Sequence, residues 1–263
     1  MDLGLAGTKV FVAASRSGLG AATARRFSLE GASVAINGRQ LETLKETARM
    51  IERESGHTVW AIDGDIQHEA GAKRVIETAI EQLGGLDILV TNAGGPPPGT
   101  FEKFQMSDWE SAYRSLMAAP IQMIQAALPA LRQSKQAAIL LVTSLTTKQA
   151  GDNLILSNVM RAGLAGLVKS LANELGPSGI RINAILPGWT ETERVTQILS
   201  VVASNSGLSM DEERAKRQSN IPLGRMGRPE EFGNVAAFIC SPAGGFIHGA
   251  LIPVDGGEIR ATM

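Results

Sequence analysis

Short apolar runs rich in Val, Ile, Leu and Ala alternate along the chain with longer stretches whose apolar residues recur at helical spacing. Lys9–Ala13 (KVFVA), Ser33–Asn37 (SVAIN), Thr58–Ile62, Asp87–Thr91 (DILVT), Ala138–Thr143, Ile180–Leu186 and Leu251–Val254 are predicted strands. Between them, Gly18–Glu30 sets Ala21, Ala24 and Phe27 on one helical face, and Leu41–Glu54 does the same with Leu41, Leu44, Ala48 and Ile51. Glu69–Leu83 is a predicted helix stopped by Gly84–Gly85, and Asp108–Gln133 a long one with Ser107 as its N-cap. Asn153–Leu175, rich in Ala and Gly, and Pro229–Cys240 complete the helices. Gly94–Gly99 (GGPPPG) can be only a loop. Thr190–Ser219 is a polar, helix-prone excursion with a break at Ser204–Gly207.

Strand–helix alternation over nearly the whole length predicts one doubly wound α/β domain spanning residues 1–263, with a mainly parallel sheet. Several strands are apolar on both faces, as helices covering both sides require. Composition agrees: 44% hydrophobic residues, 4% aromatic and 29 Gly suit a closely packed α/β protein with tight turns.

Charge and composition also set aside several partners. The net charge of −1, with no basic stripe, argues against nucleic acid. The longest apolar run, Ala137–Val142, is too short to cross a membrane. One Cys, and a start without a signal-peptide pattern, lead to a cytoplasmic expectation. His57, His68 and His248 show no metal-ligand spacing, so no metal is expected.

In a doubly wound sheet, ligands bind at the carboxyl ends of the strands. The first such end reads Ala14-Ser15-Arg16-Ser17-Gly18-Leu19-Gly20. Gly18 and Gly20 allow a tight turn and close backbone approach to a pyrophosphate, at which the following helix points its free N–H groups. After the second strand stands Asn37-Gly38-Arg39, with no acid to accept a ribose 2′-OH. Arg39, with Arg16 from the first loop, matches a 2′-phosphate instead, so NADP is expected, with NAD the alternative. The remaining ends carry Asp65-Ile66, Asn92-Ala93-Gly94, Thr143-Ser144 and Pro187-Gly188-Trp189-Thr190, and the chain closes on Asp255-Gly256-Gly257.

These ordered motifs, at these distances, resemble the short-chain dehydrogenases/reductases over essentially the full length. The resemblance implies a seven-stranded Rossmann sheet and a small-molecule carbonyl or alcohol substrate. It implies adenine-side contacts from Asp65 and Ile66, and nicotinamide-side contacts from Pro187, Gly188 and Thr190. It further implies a substrate lid near residues 190–222. A homodimer or homotetramer is expected, built on the helices at Asp108–Gln133 and Asn153–Leu175.

The catalytic pattern departs from the family. Members use a Ser, a Tyr thirteen residues later, a Lys four beyond that, and often an Asn on the preceding helix. Counted from Ser144, those positions hold Ser157 and Arg161, and the Asn position falls on Leu116. The chain's one Tyr is Tyr113, read as a packed or interface aromatic. Ser157 and Arg161 share a helical face. A Ser hydroxyl can orient or polarise a carbonyl but is a poor acid near neutral pH. Arg161 suits a ribose hydroxyl or, through its planar fork, a substrate carboxylate. For hydride transfer here the proton sources are water, a substrate acid or a Ser144–Ser157 relay, with Asp152 and Glu193 as more distant participants. Three readings stand: an oxidoreductase with an atypical Ser144, Ser157 and Arg161 site, a dinucleotide-binding pseudoenzyme or sensor, and a non-redox lyase or isomerase.

Overall fold

The computed structural model describes residues 1–262. Seven strands lie in one sheet: β1 (Lys9–Val12), β2 (Ser33–Gly38), β3 (Val59–Asp63), β4 (Ile88–Thr91), β5 (Ala138–Val142), β6 (Arg181–Pro187) and β7 (Leu251–Val254). Their spatial order is β3-β2-β1-β4-β5-β6-β7, and all six pairings are parallel, so the expected "mainly parallel" sheet is wholly so. The order reverses between β1 and β4, where the crevice at the strand ends opens.

The period-two alternation of each strand feeds two cores. Val10, Val12, Val34, Ile36, Ile88 and Val90 face α1 (Gly18–Leu29), α2 (Leu41–Ser55) and α9 (Pro229–Cys240), packing on Phe27, Leu44 and Phe232. Phe11, Ala35, Leu89, Ile139, Leu141 and Ile182 face the other way. They meet α3 (Glu69–Leu83), α5 (Ala119–Leu131) and α6 (Ile155–Leu175) through Ile76, Met123 and Leu164. Fully burying a Leu, Ile or Phe side chain is worth roughly 1.5–3 kcal/mol, so two-sided burial holds the strand ends rigidly in register.

The long central helix differs from its expected form at both its start and its middle. It begins at Met106 as α4 (Met106–Tyr113), with Gln105 and not Ser107 as N-cap; the Asp108 carboxylate accepts the Gln105 N–H at 2.9 Å. It then widens into a π turn over Arg114–Ala118 before resuming as α5. The excursion after β6 forms α7 (Glu193–Ser206) and α8 (Met210–Ser219). Gly207 breaks it, in the left-handed conformation at φ 74°. A small core of Leu199, Ile221 and Met226, with Trp189 and Val195 packed against it, anchors this excursion. No helix among the described residues is long and apolar enough to cross a membrane.

Candidate active site

The crevice between β1 and β4 begins with the glycine turn. Ser17 precedes α1 in extended conformation and makes no side-chain cap, so the first N–H groups of that helix point into the crevice without a side-chain partner. Gly18 sits at φ +60°, a left-handed geometry that costs an L side chain energy. A Cβ on Gly20 would lie 2.6 Å from the Ala14 carbonyl oxygen and 2.8 Å from the Ser15 Cα. The turn is thus drawn in against β1, leaving a cradle of backbone donors that fits a pyrophosphate.

Ser15 and Leu19 reach this turn with their backbones only. The Ser15 side chain is fully buried: it donates to the Val12 carbonyl at 2.6 Å and accepts the Asn37 N–H at 3.0 Å. Leu19 packs on the α1-side core. Asn92 donates to the Ala14 carbonyl at 3.2 Å, locking the β4 loop onto the turn. Asn37, at the end of β2, spends its amide on the carbonyls of Ile62 and Gly64, at 3.0 and 3.3 Å. Beside it, Arg16 and Arg39 are exposed, and Thr47 of α2 fixes the Arg16 carbonyl at 2.7 Å. No acidic side chain stands at the end of β2 itself. After β3, the Asp65 carboxylate accepts the Gln67 N–H at 2.9 Å, while Ile66 is buried.

The excursion reaches this groove through Thr190 and Thr192. Thr190, expected at the cofactor, is 5% exposed and its backbone bridges to Gly227. Thr192 stands beside the glycine turn. It caps α7 by accepting the Val195 N–H at 3.3 Å, and its side chain lies 3.5 Å from where Gly18 would carry a Cβ. Its neighbour Glu193 pairs with Arg16 at 3.8 Å, and Arg194 reaches the Gly95 carbonyl at 3.5 Å. A Thr followed by Glu at the start of an amphipathic stretch was the available cap signal.

At the end of β5, Ser144 opens a short 3₁₀ turn and its hydroxyl oxygen accepts the Thr146 N–H at 3.2 Å, leaving its O–H free to donate. Ser157 is 7% exposed and lies 3.0 Å from the Thr146 hydroxyl, where either oxygen can donate. Thr146, a buried residue absent from the sequence reading, thus holds Ser144 with its backbone N–H and Ser157 with its hydroxyl. The hydroxyl-rich run Thr143–Thr147 was the only hint of it.

One turn along α6, Arg161 is also 7% exposed; burial alone lowers its pKa from 12.5 to about 10. Its Nε has no partner, and neither Asp152 nor Glu193 pairs with it. It lines a narrow cavity of about 10 Å³ with Thr91, Asn92, Leu116, Pro120, Met123 and Val142, beside the π turn. Tyr113 is 51% exposed.

The far wall comes from the ends of β6 and β7. Pro187-Gly188 leads to Trp189, whose ring carries the Arg217 guanidinium 4.9 Å from its centroid. Nearby, burial and then the Asp255 charge hold the Glu258 carboxyl above the ordinary carboxylate range, and its Oε2 has no hydrogen-bond partner. The Asp255 carboxylate itself accepts the N–H groups of Gly257 and Ile259, at 3.0 and 2.7 Å. The Pro-rich loop is pinned to the start of α6 through Gly99 and Asn153 at 2.6 Å.

Known proteins match this arrangement over its whole extent. The family model described as enoyl-(acyl carrier protein) reductase matches residues 13–258. A 3-oxoacyl-(acyl-carrier-protein) reductase of Aquifex aeolicus (strain VF5) is 30% identical over 257 residues, 98% of this chain and 99% of that protein. The cis-4-hydroxycyclohexanecarboxylate dehydrogenase of Sinomonas cyclohexanicum is 32% identical over 247 residues, 94% of each chain. Among solved structures, L-sorbose reductase from Gluconobacter frateurii, complexed with NADPH and L-sorbose, superposes with a TM-score of 0.95. It is 29% identical, across 99% of this chain and 100% of that one. The chain belongs to the short-chain dehydrogenase/reductase family.

Proposed function

We propose that this protein is an NADP(H)-dependent oxidoreductase interconverting a small carbonyl compound and its alcohol, on one nucleotide-binding domain with a lid near residues 190–222. One observation carries the reading. The uncapped start of α1 and the Gly20 cradle lie at the reversal of strand order, with Arg16 and Arg39 beside the end of β2 and Ser144 at the end of β5. The NADPH in the related L-sorbose reductase supports the same choice of dinucleotide.

In this reading the backbone at Gly18–Gly20 and the Thr192 region hold the pyrophosphate. Arg16 and Arg39 take the 2′-phosphate. Asp65, Ile66 and the Asn92-Ala93-Gly94 backbone flank the adenosine half, and Pro187, Gly188 and Thr190 the nicotinamide half. The bound dinucleotide supplies a hydride. Ser144 donates its free O–H to the carbonyl oxygen. Thr146 and Ser157 form a hydroxyl chain behind it, where most of the family places a Tyr. Arg161 adds fixed positive charge where the family places a Lys. Proton delivery falls to water, because no hydroxyl of the chain is acidic near neutral pH. The protomer assembles as a homodimer or homotetramer through α4, α5 and α6, where Tyr113 and Val159 are exposed.

Titration with NADPH and NADH, followed by a panel of ketones and aldehydes monitored for NADPH oxidation, tests the proposal. Tight NADPH binding with turnover that Ser144→Ala abolishes is expected. Failure of both dinucleotides to bind below millimolar concentration refutes it. A second reading, a dinucleotide-binding sensor without turnover, draws on the Ser157 hydroxyl being tied to Thr146. NADPH binding with silence across the panel would favour it.

A further inference from the structure

Arg161 and Arg181 are both arginines withdrawn from water, and the chain treats them differently. The Arg181 guanidinium donates to the carbonyls of Ile239, Cys240, Ser241, Gly244 and Ile247, at 2.7 to 3.4 Å. That is how a fold satisfies a structural arginine. Arg161 is more deeply buried, yet among the described residues it makes no ion pair, and its Nε meets no acceptor. The walls around it are mostly apolar, from Leu116, Pro120, Met123, Val142 and Leu164, and the Thr91 hydroxyl, which also lines the cavity, makes no bond to the guanidinium. The Asn92 NH2 at the rim donates to the Ala14 carbonyl, and its oxygen makes no bond to Arg161.

A buried, unpaired guanidinium is expensive and persists where something else compensates it. Ribose hydroxyls of a dinucleotide can accept hydrogen bonds but bring no negative charge, and the pyrophosphate belongs to the α1 turn. The remaining source of compensating charge is the substrate. The cavity has room for about one water. A single carboxylate oxygen has that size, so the rest of such a group would lie toward the cleft.

The geometry points to Arg161 as the binding site for a carboxylate carried by the substrate, which makes the substrate class a short oxo acid or hydroxy acid. This rests on the oxidoreductase reading for the oxo or hydroxy function, but the carboxylate site itself does not. The acid end docks on Arg161, and the carbonyl to be reduced lies toward Ser144.

The test uses redox-silent probes in matched pairs: butanoate against butanamide, and benzoate against benzamide. Each is titrated calorimetrically into the protein, both free and saturated with NADP⁺, in chloride-free buffer. At least one acid is expected to bind ten-fold or more tighter than its amide. Arg161→Gln should abolish that preference, and Arg161→Lys should keep part of it. Equal binding of acid and amide by the wild-type protein overturns the inference, as does a preference that survives in a folded Arg161→Gln. Should Arg161→Gln not fold, the wild-type comparison and Arg161→Lys still decide. Loss of dinucleotide binding with the acid preference intact would refute the oxidoreductase reading alone.

Discussion

Replacing Arg161 by Met should make the protein more stable in the absence of ligand, although the residue is buried in the middle of a helix. The drop in its pKa from 12.5 to about 10 is caused by burial alone. At 1.36 kcal/mol per pH unit this amounts to about 3 kcal/mol of solvation that the charged group forgoes on folding. Met keeps most of the aliphatic stem and its flexibility, and imperfect repacking should return roughly 1 kcal/mol of that. The net expectation is a gain of about 1–2 kcal/mol, or a midpoint about 3–6 °C higher for a chain of this size. Urea unfolding of the cofactor-free protein, at one protein concentration, is the assay; the midpoint should rise with the slope unchanged. Arg181→Met is the internal control. It removes the donor for five backbone carbonyls and should cost at least about 2 kcal/mol, because hydrogen bonds to charged groups are worth roughly 1.5–3 kcal/mol each. If Arg161→Met loses stability as Arg181→Met does, Arg161 has a favourable partner within the fold and the reasoning about its charge fails.

Gly20→Ala forces a methyl against the Ala14 oxygen at 2.6 Å, so it should cost roughly 1–3 kcal/mol and lower NADPH affinity at least ten-fold. Unchanged affinity by calorimetry would remove the turn from the cofactor site. Arg39→Gln and Arg16→Gln should each weaken NADPH by about ten-fold, roughly 1.4 kcal/mol, while leaving NADH alone. Equal losses for both dinucleotides would count against a 2′-phosphate role. The folded Glu258 carboxyl titrates above 4.5, so the native state keeps a proton that the unfolded chain has released, and stability falls as pH rises through that window. Glu258→Gln should lack this component, seen as a wild-type advantage over the variant that shrinks from pH 4 to pH 8 in urea midpoints; a constant difference would contradict it.

The strands were readable because apolar runs buried on both faces leave little freedom in where they start and stop. What escaped the sequence depended on interactions across segments. The π turn at Arg114–Ala118 has no periodic signature, since one extra residue per turn leaves the pattern of apolar positions on either side intact. Gln105 is an unusual cap and Ser107 a favoured one; the reciprocal bond from Asp108 decided between them. The backbone bridge between Thr190 and Gly227 and the approach of Thr192 to the glycine turn both depend on contacts between distant segments. The Ser15 hydroxyl ties β1 to β2, a pairing that no local pattern announces. Thr146 became visible only when the loop after β5 folded back on α6.

On the proposed oxidoreductase reading, the placement of charge accounts for how a site with hydroxyls at Ser144, Thr146 and Ser157 would serve carbonyl reduction. A carbonyl oxygen that receives hydride on its carbon becomes negative, and it can be stabilised by a proton or by fixed positive charge and donors. With pKa about 10, Arg161 remains protonated at neutral pH, and its apolar surroundings screen it weakly. Preorganised donors at a developing oxyanion are worth about 3–4 kcal/mol each. Ser144, held by the Thr146 N–H with its own O–H free, is one such donor. The nearby acidic side chains are engaged elsewhere: Glu193 on Arg16, and Asp255 on the Gly257 and Ile259 N–H groups beyond Pro187-Gly188. The site therefore favours negative charge at the end of β5 by electrostatics. A carboxylate docked on Arg161 would consume part of that field, which leaves the Ser144 hydroxyl as the principal stabiliser of the reacting oxygen.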